Sequence, residues 1–115
     1  MILPAILLFI LTTVMGLSLV VMGVRYHRGS LALGLAHASV ALLAFILLGV
    51  QIFRGPVNML YNSAALLFGL ALSGGVVLLA LHEGNKPPPM VIVTIHAVIA
   101  LGGLLLLVLG YSKTT

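Results

Sequence analysis

The chain has 115 residues, of which 63% are hydrophobic, 5% charged and none cysteine, and its mean hydropathy is +1.38. Soluble domains carry about a quarter of their residues as charges, which argues against that class, and without cysteine there are no disulfides, thiolate metal sites, iron–sulfur clusters or covalently attached haem. The net charge of +4 sets five Lys and Arg against one acidic residue, Glu83; the cations are scattered singly, which is loop chemistry and not a nucleic-acid patch.

A spanning helix needs about 20 apolar residues, because the hydrocarbon core is roughly 30 Å thick and each residue rises about 1.5 Å. The first such stretch runs from about Leu3 to Val24. It has no basic leading region or small-residue cleavage site and is too long for a signal peptide, so it is expected to stay in the mature chain. The basic segment Arg25 to Ser30 ends it, and a second stretch follows from Leu31 to Phe53. After Arg54 to Asn58 comes the third, Leu60 to Leu81, and after His82 to Pro89 the fourth, Met90 to Tyr111. The five prolines stand only at these boundaries, where a missing amide proton costs least. Loops this short dictate one all-α domain over 1–115, a four-helix transmembrane bundle running up-down-up-down. Loops one and three carry Arg25, Arg28 and Lys86 against Arg54 and Lys113 on the other side, which places those two loops in the cytoplasm of a bacterial inner membrane.

The chain reads as a duplicated helical hairpin, with halves at about 1–56 and 60–115. A gapless shift of 59 positions lays Ala5, Phe9 and Gly16 on Ala64, Phe68 and Gly75, and His37, Ala38 and Ala41 on His96, Ala97 and Ala100. Leucine matches carry little weight in so apolar a sequence, whereas coincident His, Gly and Phe carry more.

His37 lies six residues after Leu31, and His96 six after Met90. At about 1.5 Å per residue both imidazoles sit roughly one and a half turns inside helices that run the same way, and a twofold axis along the membrane normal points them at each other. An ionisable group inside hydrocarbon is a functional-site hypothesis by default, and neutral imidazole is a good iron ligand. Small residues surround both: Gly34, Ala41 and Ala44 share the face of His37, Ala100 and Gly103 that of His96, and helices one and three reach this depth at Gly16 and at Gly74 and Gly75. That thinning leaves room for a flat macrocycle, with Phe9 and Phe68 as the floor. Arg25, Arg28 and Lys86 at the near end would meet the propionates of a haem. The competing reading of the small residues is helix packing, which prefers them with or without a cofactor. His82 is expected at the interface and His27 in solvent. Gln51, Asn58, Tyr61 and Asn62 read as interfacial anchors before a quinone-head site, and Thr12, Thr13, Ser39 and Ser73 as hydroxyls that serve backbone carbonyls and form no hydrolytic set.

With these residues in place the chain resembles the membrane b-type cytochromes, and in architecture the cytochrome b subunit of quinol:cytochrome c oxidoreductases. The resemblance covers the four-helix core. It implies haem b between axial ligands His37 and His96, with Gly16 and Gly75 at the porphyrin edge, an electron-carrying role more than that of a stand-alone enzyme, and quinol or a larger redox complex as partner beside the lipid bilayer. That family has a second histidine about thirteen or fourteen residues further along each ligand helix; here those positions hold Val50, Gln51, Leu109 and Gly110, so one haem is expected. Two other functions fit four helices of this size: a structural accessory subunit of a membrane redox complex, and a small proton-coupled cation transporter like the small multidrug resistance proteins. The latter rely on a carboxylate inside the membrane, and the lone Glu83 lies in a loop.

Overall fold

A computed structural model describes residues 2–82 and 88–114. It contains four α-helices, α1 (Ile2–Arg25), α2 (Leu31–Arg54), α3 (Met59–Ala80) and α4 (Met90–Thr114), packed into a body of 44 × 19 × 19 Å. Each is long and apolar enough to cross a membrane, and the fold is the all-α four-helix bundle of a multi-pass integral membrane protein. The ends fall within a few residues of the apolar stretches, because hydrocarbon length and polar loops set both.

Local chemistry fixes those ends. Ser30 caps α2, its hydroxyl accepting from Leu33 N at 3.2 Å. Asn58 caps α3, its Oδ1 accepting from Leu60 N and Tyr61 N, while its Nδ2 donates to Gly110 O of α4 at 3.3 Å. One amide thus closes a helix start and ties it to a neighbouring helix. At the end of α1, His27 adopts the left-handed conformation (φ 51°), which turns the chain so that Arg28 N donates to Met22 O at 3.1 Å. His27 is therefore a turn residue as well as an exposed one.

Within the helices, Thr12, Thr13, Ser39, Ser73 and Thr94 each donate their hydroxyl to the carbonyl four residues back, at 2.8–3.0 Å. A hydroxyl in hydrocarbon needs an acceptor, and the helix's own backbone is the nearest one.

Consecutive helices pack closest, α1 on α2 and α3 on α4; the ring closes through α2–α3 and α1–α4, which leaves α1 and α3, and α2 and α4, as diagonal partners. Large apolar side chains point outward along all four helices, as a lipid-facing surface requires, and among the described residues no polar or charged residue is fully buried. The interior is small: Ala5, Phe9, Ala44, Leu48, Tyr61, Ala64, Phe68 and Leu107 form one buried cluster. Across the α1–α3 diagonal Phe9 and Phe68 lie face to face, centroids 3.8 Å apart and planes 5° from parallel. Gly103 of α4 makes this possible, since a Cβ there would stand 3.1 Å from Phe68 Cε1. Below them, Leu48 and Leu107 are wholly buried, and the Tyr61 ring lies against Gly110, where a Cβ would come within 2.8 Å of it.

Aromatic pairs contribute about 0.5–1.5 kcal/mol beyond the area they bury. A double-mutant cycle of Phe9→Leu and Phe68→Leu, read from unfolding in mixed micelles, should return a coupling of that size. Asn58→Ala should cost about 0.5–2 kcal/mol as a lost N-cap, with the α3–α4 tie adding to it.

Candidate functional site

One level above the phenylalanine stack, on the other diagonal, α2 and α4 bring His37 and His96 together. Their ring centroids are 6.2 Å apart and the planes meet at 72°, and no hydrogen bond joins them. Both side chains are half-buried. The depth follows from α2 and α4 starting at the same end of the bundle, six residues before each histidine.

His37 is oriented by α1. Its Nδ1 lies 2.9 Å from the carbonyl oxygen of Thr12; a carbonyl only accepts, so Nδ1 carries the proton and Nε2 keeps its lone pair. That carbonyl is reachable because residue 16, one turn on, is glycine: a Cβ on Gly16 would stand 3.0 Å from His37 Cε1. The ring rests on bare backbone.

His96 is held differently by α3. Gly74 and Gly75 both face it, with a Cβ at Gly74 falling 3.4 Å from Nδ1 and one at Gly75 falling 3.5 Å from Cε1. Its Nδ1 is buried and makes no hydrogen bond as short and well aligned as that of His37, and the Ala71 backbone is its weaker acceptor. Thr12 and Ala71 are themselves 59 positions apart, so each histidine addresses the same backbone position of its neighbouring helix, His37 more closely.

The other residues singled out from sequence fall as follows. Arg25 ends α1, and Arg28 is exposed in the turn after it, at the histidine end of the bundle. Lys86 lies outside the described residues, as does Glu83. His82 is half-buried just past α3, and its N–H donates to Leu79 O at 3.2 Å. At the opposite end, Tyr61 is buried and Asn58 is committed to capping, so neither is presented to a ligand. Two surface grooves, one on α1 lined by Val14, Leu17, Val21 and Tyr26 and one on α4 lined by Met90, Val91, Thr94 and Ile95, lie away from the histidine pair.

Comparison of the chain with protein-family models, with curated proteins and with solved structures finds no match. The functional reading therefore stands on the geometry.

Sequence reasoning found the two histidines and two of the three glycines beside them, and it placed Gly74 at the same depth without assigning it a role. It missed the Thr12 carbonyl, for which no side-chain signal exists. The unequal clearances lead to an expectation. Gly16→Ala should displace the His37 ring and weaken its bond to Thr12, changing the imidazole nitrogen shifts in labelled micellar protein, whereas Gly75→Ala should leave His96 nearly unmoved.

Proposed function

We propose that this chain is a membrane electron-transfer protein whose His37 and His96 hold one b-type haem. The observation that carries the reading is the separation of the two rings across the interior, 6.2 Å between centroids. An imidazole nitrogen binds a first-row metal at about 2.0–2.1 Å and lies about 1 Å from its own ring centre, so two rings on opposite sides of one metal have centres about 6 Å apart.

The donor set narrows the metal's form. Two histidines are too few for zinc, which takes four protein ligands in structural sites and three in catalytic ones, and among the described residues no group of three or more His, Cys, Asp or Glu gathers. A metal that suits this pair brings its equatorial ligands with it, as iron does in a porphyrin. Glycine at positions 16, 74 and 75 keeps α1 and α3 thin beside the rings, and the imidazoles rest in that space, so a macrocycle would enter only with an outward shift of the rings. When bound, haem supplies a one-electron iron couple.

The chain's own residues do the rest. His37, oriented by the Thr12 carbonyl, would present Nε2 to the iron, and His96 would present a ring nitrogen to it. The Phe9–Phe68 stack closes the interior below the pair, and apolar burial together with nearby cations would tune the potential of a bound haem. Arg25 and Arg28, at the histidine end, would supply positive charge for the propionates; Lys86, given the same role from sequence, lies outside the described residues. In the far half, where a second pair of ligands would stand, Leu48, Leu107 and the Tyr61–Gly110 contact fill the core, which supports one haem rather than two. Electrons then enter and leave through a partner at the histidine end, a quinol or a larger redox complex, on the cytoplasmic side of a bacterial inner membrane if the Lys and Arg bias sets the topology. A proton-coupled transporter is less well supported, since none of the four helices carries a carboxylate. A purely structural accessory subunit has no need for two histidines in register.

The test is spectroscopic. Dithionite-reduced protein should show the split, sharp visible bands of low-spin haem b, at about one haem per chain. His37→Ala or His96→Ala should give high-spin or absent haem, and His27→Ala should leave the bands intact. A colourless preparation that cannot take up hemin refutes the proposal; gradient-driven uptake of a lipophilic cation by haem-free protein in liposomes favours transport. Replacing Arg25 and Arg28 by Gln should lower the midpoint potential, because nearby positive charge favours the ferrous form.

A further inference from the structure

The outer face of α1 carries a groove that the histidine pair does not use. It is lined by Val14, Leu17, Ser18, Val21, Met22 and Tyr26, residues three and four apart that form one stripe along the helix. From Val14 to Tyr26 the stripe covers about 18 Å at 1.5 Å per residue, close to the roughly 15 Å that one leaflet gives to the hydrocarbon core. Its walls are apolar and exposed, and the Ser18 hydroxyl is spent on Val14 O at 3.0 Å, so the groove is greasy along its length. At its mouth the chemistry changes. Arg25 stands on the same stripe, four residues after Val21 and three after Met22, and is exposed. The left-handed turn at His27 then folds the chain back, with Arg28 N donating to Met22 O at 3.1 Å, which returns exposed Arg28 to the last turn of α1. The groove on α4, lined by Met90, Val91, Thr94 and Ile95, has no cation on its walls.

We propose that the α1 groove binds one anionic glycerophospholipid, its phosphate held by Arg25 and Arg28 and one acyl chain laid along the stripe toward Val14. Charge complementarity selects this occupant over a zwitterionic lipid, since two guanidinium groups stand at the mouth and no carboxylate side chain lies among the described residues. Guanidinium meets phosphate through paired, charge-assisted hydrogen bonds, and its five donors are enough for a lipid phosphate outside the bundle as well as a propionate from within. Tyr26, between the two arginines in sequence, places an amphipathic ring at headgroup level, where such rings prefer to sit. The inference does not rest on the haem reading. Such a site would hold this end of α1 against the leaflet richer in anionic lipid, which is the cytoplasmic one.

Dioleoyl phosphatidylglycerol and dioleoyl phosphatidylcholine are the probes, titrated onto the full chain in a neutral detergent and counted by native mass spectrometry. The chain should retain one phosphatidylglycerol, with affinity about tenfold or more above that for phosphatidylcholine. Arg25→Gln and Arg28→Gln should each lower phosphatidylglycerol affinity roughly fivefold, and together about thirtyfold, with little change for phosphatidylcholine; Arg54→Gln, at the opposite end of the bundle, should leave both as they are. Val21→Trp fills the groove from its lipid-facing side, where the fold has no packing to lose, and should weaken phosphatidylglycerol binding with both arginines in place. Equal retention of the two lipids overturns the proposal, and so does a loss on Arg54→Gln as large as that on Arg25→Gln. Displacement by soluble glycerol phosphate, which has no acyl chain, would show a phosphate site without the groove and overturns it as well. A dimer that Val21→Trp dissociates and that retains no lipid would assign the groove to a second copy of the chain instead.

Discussion

The face-to-face contact of Phe9 and Phe68 sets the architecture of this bundle. In lipid there is no hydrophobic drive to bring helices together, so association depends on how closely surfaces fit. Two flat rings 3.8 Å apart across the α1–α3 diagonal set how near those helices come, and the remaining interior is graded around them. Gly103 yields to Phe68, Ala5 and Ala64 are fully buried, and Leu48 and Leu107 fill the layer beyond. On the side toward loops one and three the grading reverses: glycines replace larger residues, and two imidazoles reach inward. The stack is thus both the keystone of the packed half and the floor of the polar one.

That division explains why a polar pair is tolerated. A ring nitrogen in hydrocarbon without a partner costs several kcal/mol at worst, and the chain meets that cost for His37 with a backbone carbonyl. Backbone acceptors within a helix are ordinarily shielded by side chains, so exposing one means removing a side chain, which is what glycine at position 16 does. The same glycine is small enough for close helix packing, so the two explanations of it, packing and access, are physically one. What separates a glue histidine from a ligand is the second nitrogen. Across the bundle it meets no acceptor on the facing histidine, because the rings stand edge to face at 6.2 Å, too far for a direct bond.

The four helices were legible in the sequence because apolar length is a direct physical requirement of the bilayer. The facing of the helices was less legible, since every face is apolar and amphipathic periodicity carries almost no information. Register came instead from the 59-residue offset, which pairs Phe9 with Phe68 and His37 with His96. What the offset could not reveal lies in the backbone or in an unexpected φ: the Thr12 carbonyl, the left-handed turn at His27, and the double use of Asn58. Tyr61 was read as an interfacial anchor and instead is buried against Gly110, since glycine on α4 opens a slot that an aromatic ring fills better than lipid does. The placement of Lys86 lies outside the described residues.

Where equivalent positions of the two halves agree, they define the scaffold; where they differ, they define what each half does. Ala5 and Ala64, Phe9 and Phe68, Leu48 and Leu107 occupy equivalent buried places. Beside the histidines the differences include Met15 against Gly74 and Thr12 against Ala71. Thr12 sends its hydroxyl to Leu8 O, and its carbonyl meets a ring that Gly16 lets in close; on the other side Ala71 has no hydroxyl and two glycines, Gly74 and Gly75, line the ring. The duplicated frame thus sets two like rings at one depth, and the residues that differ beside them give each ring a different bed.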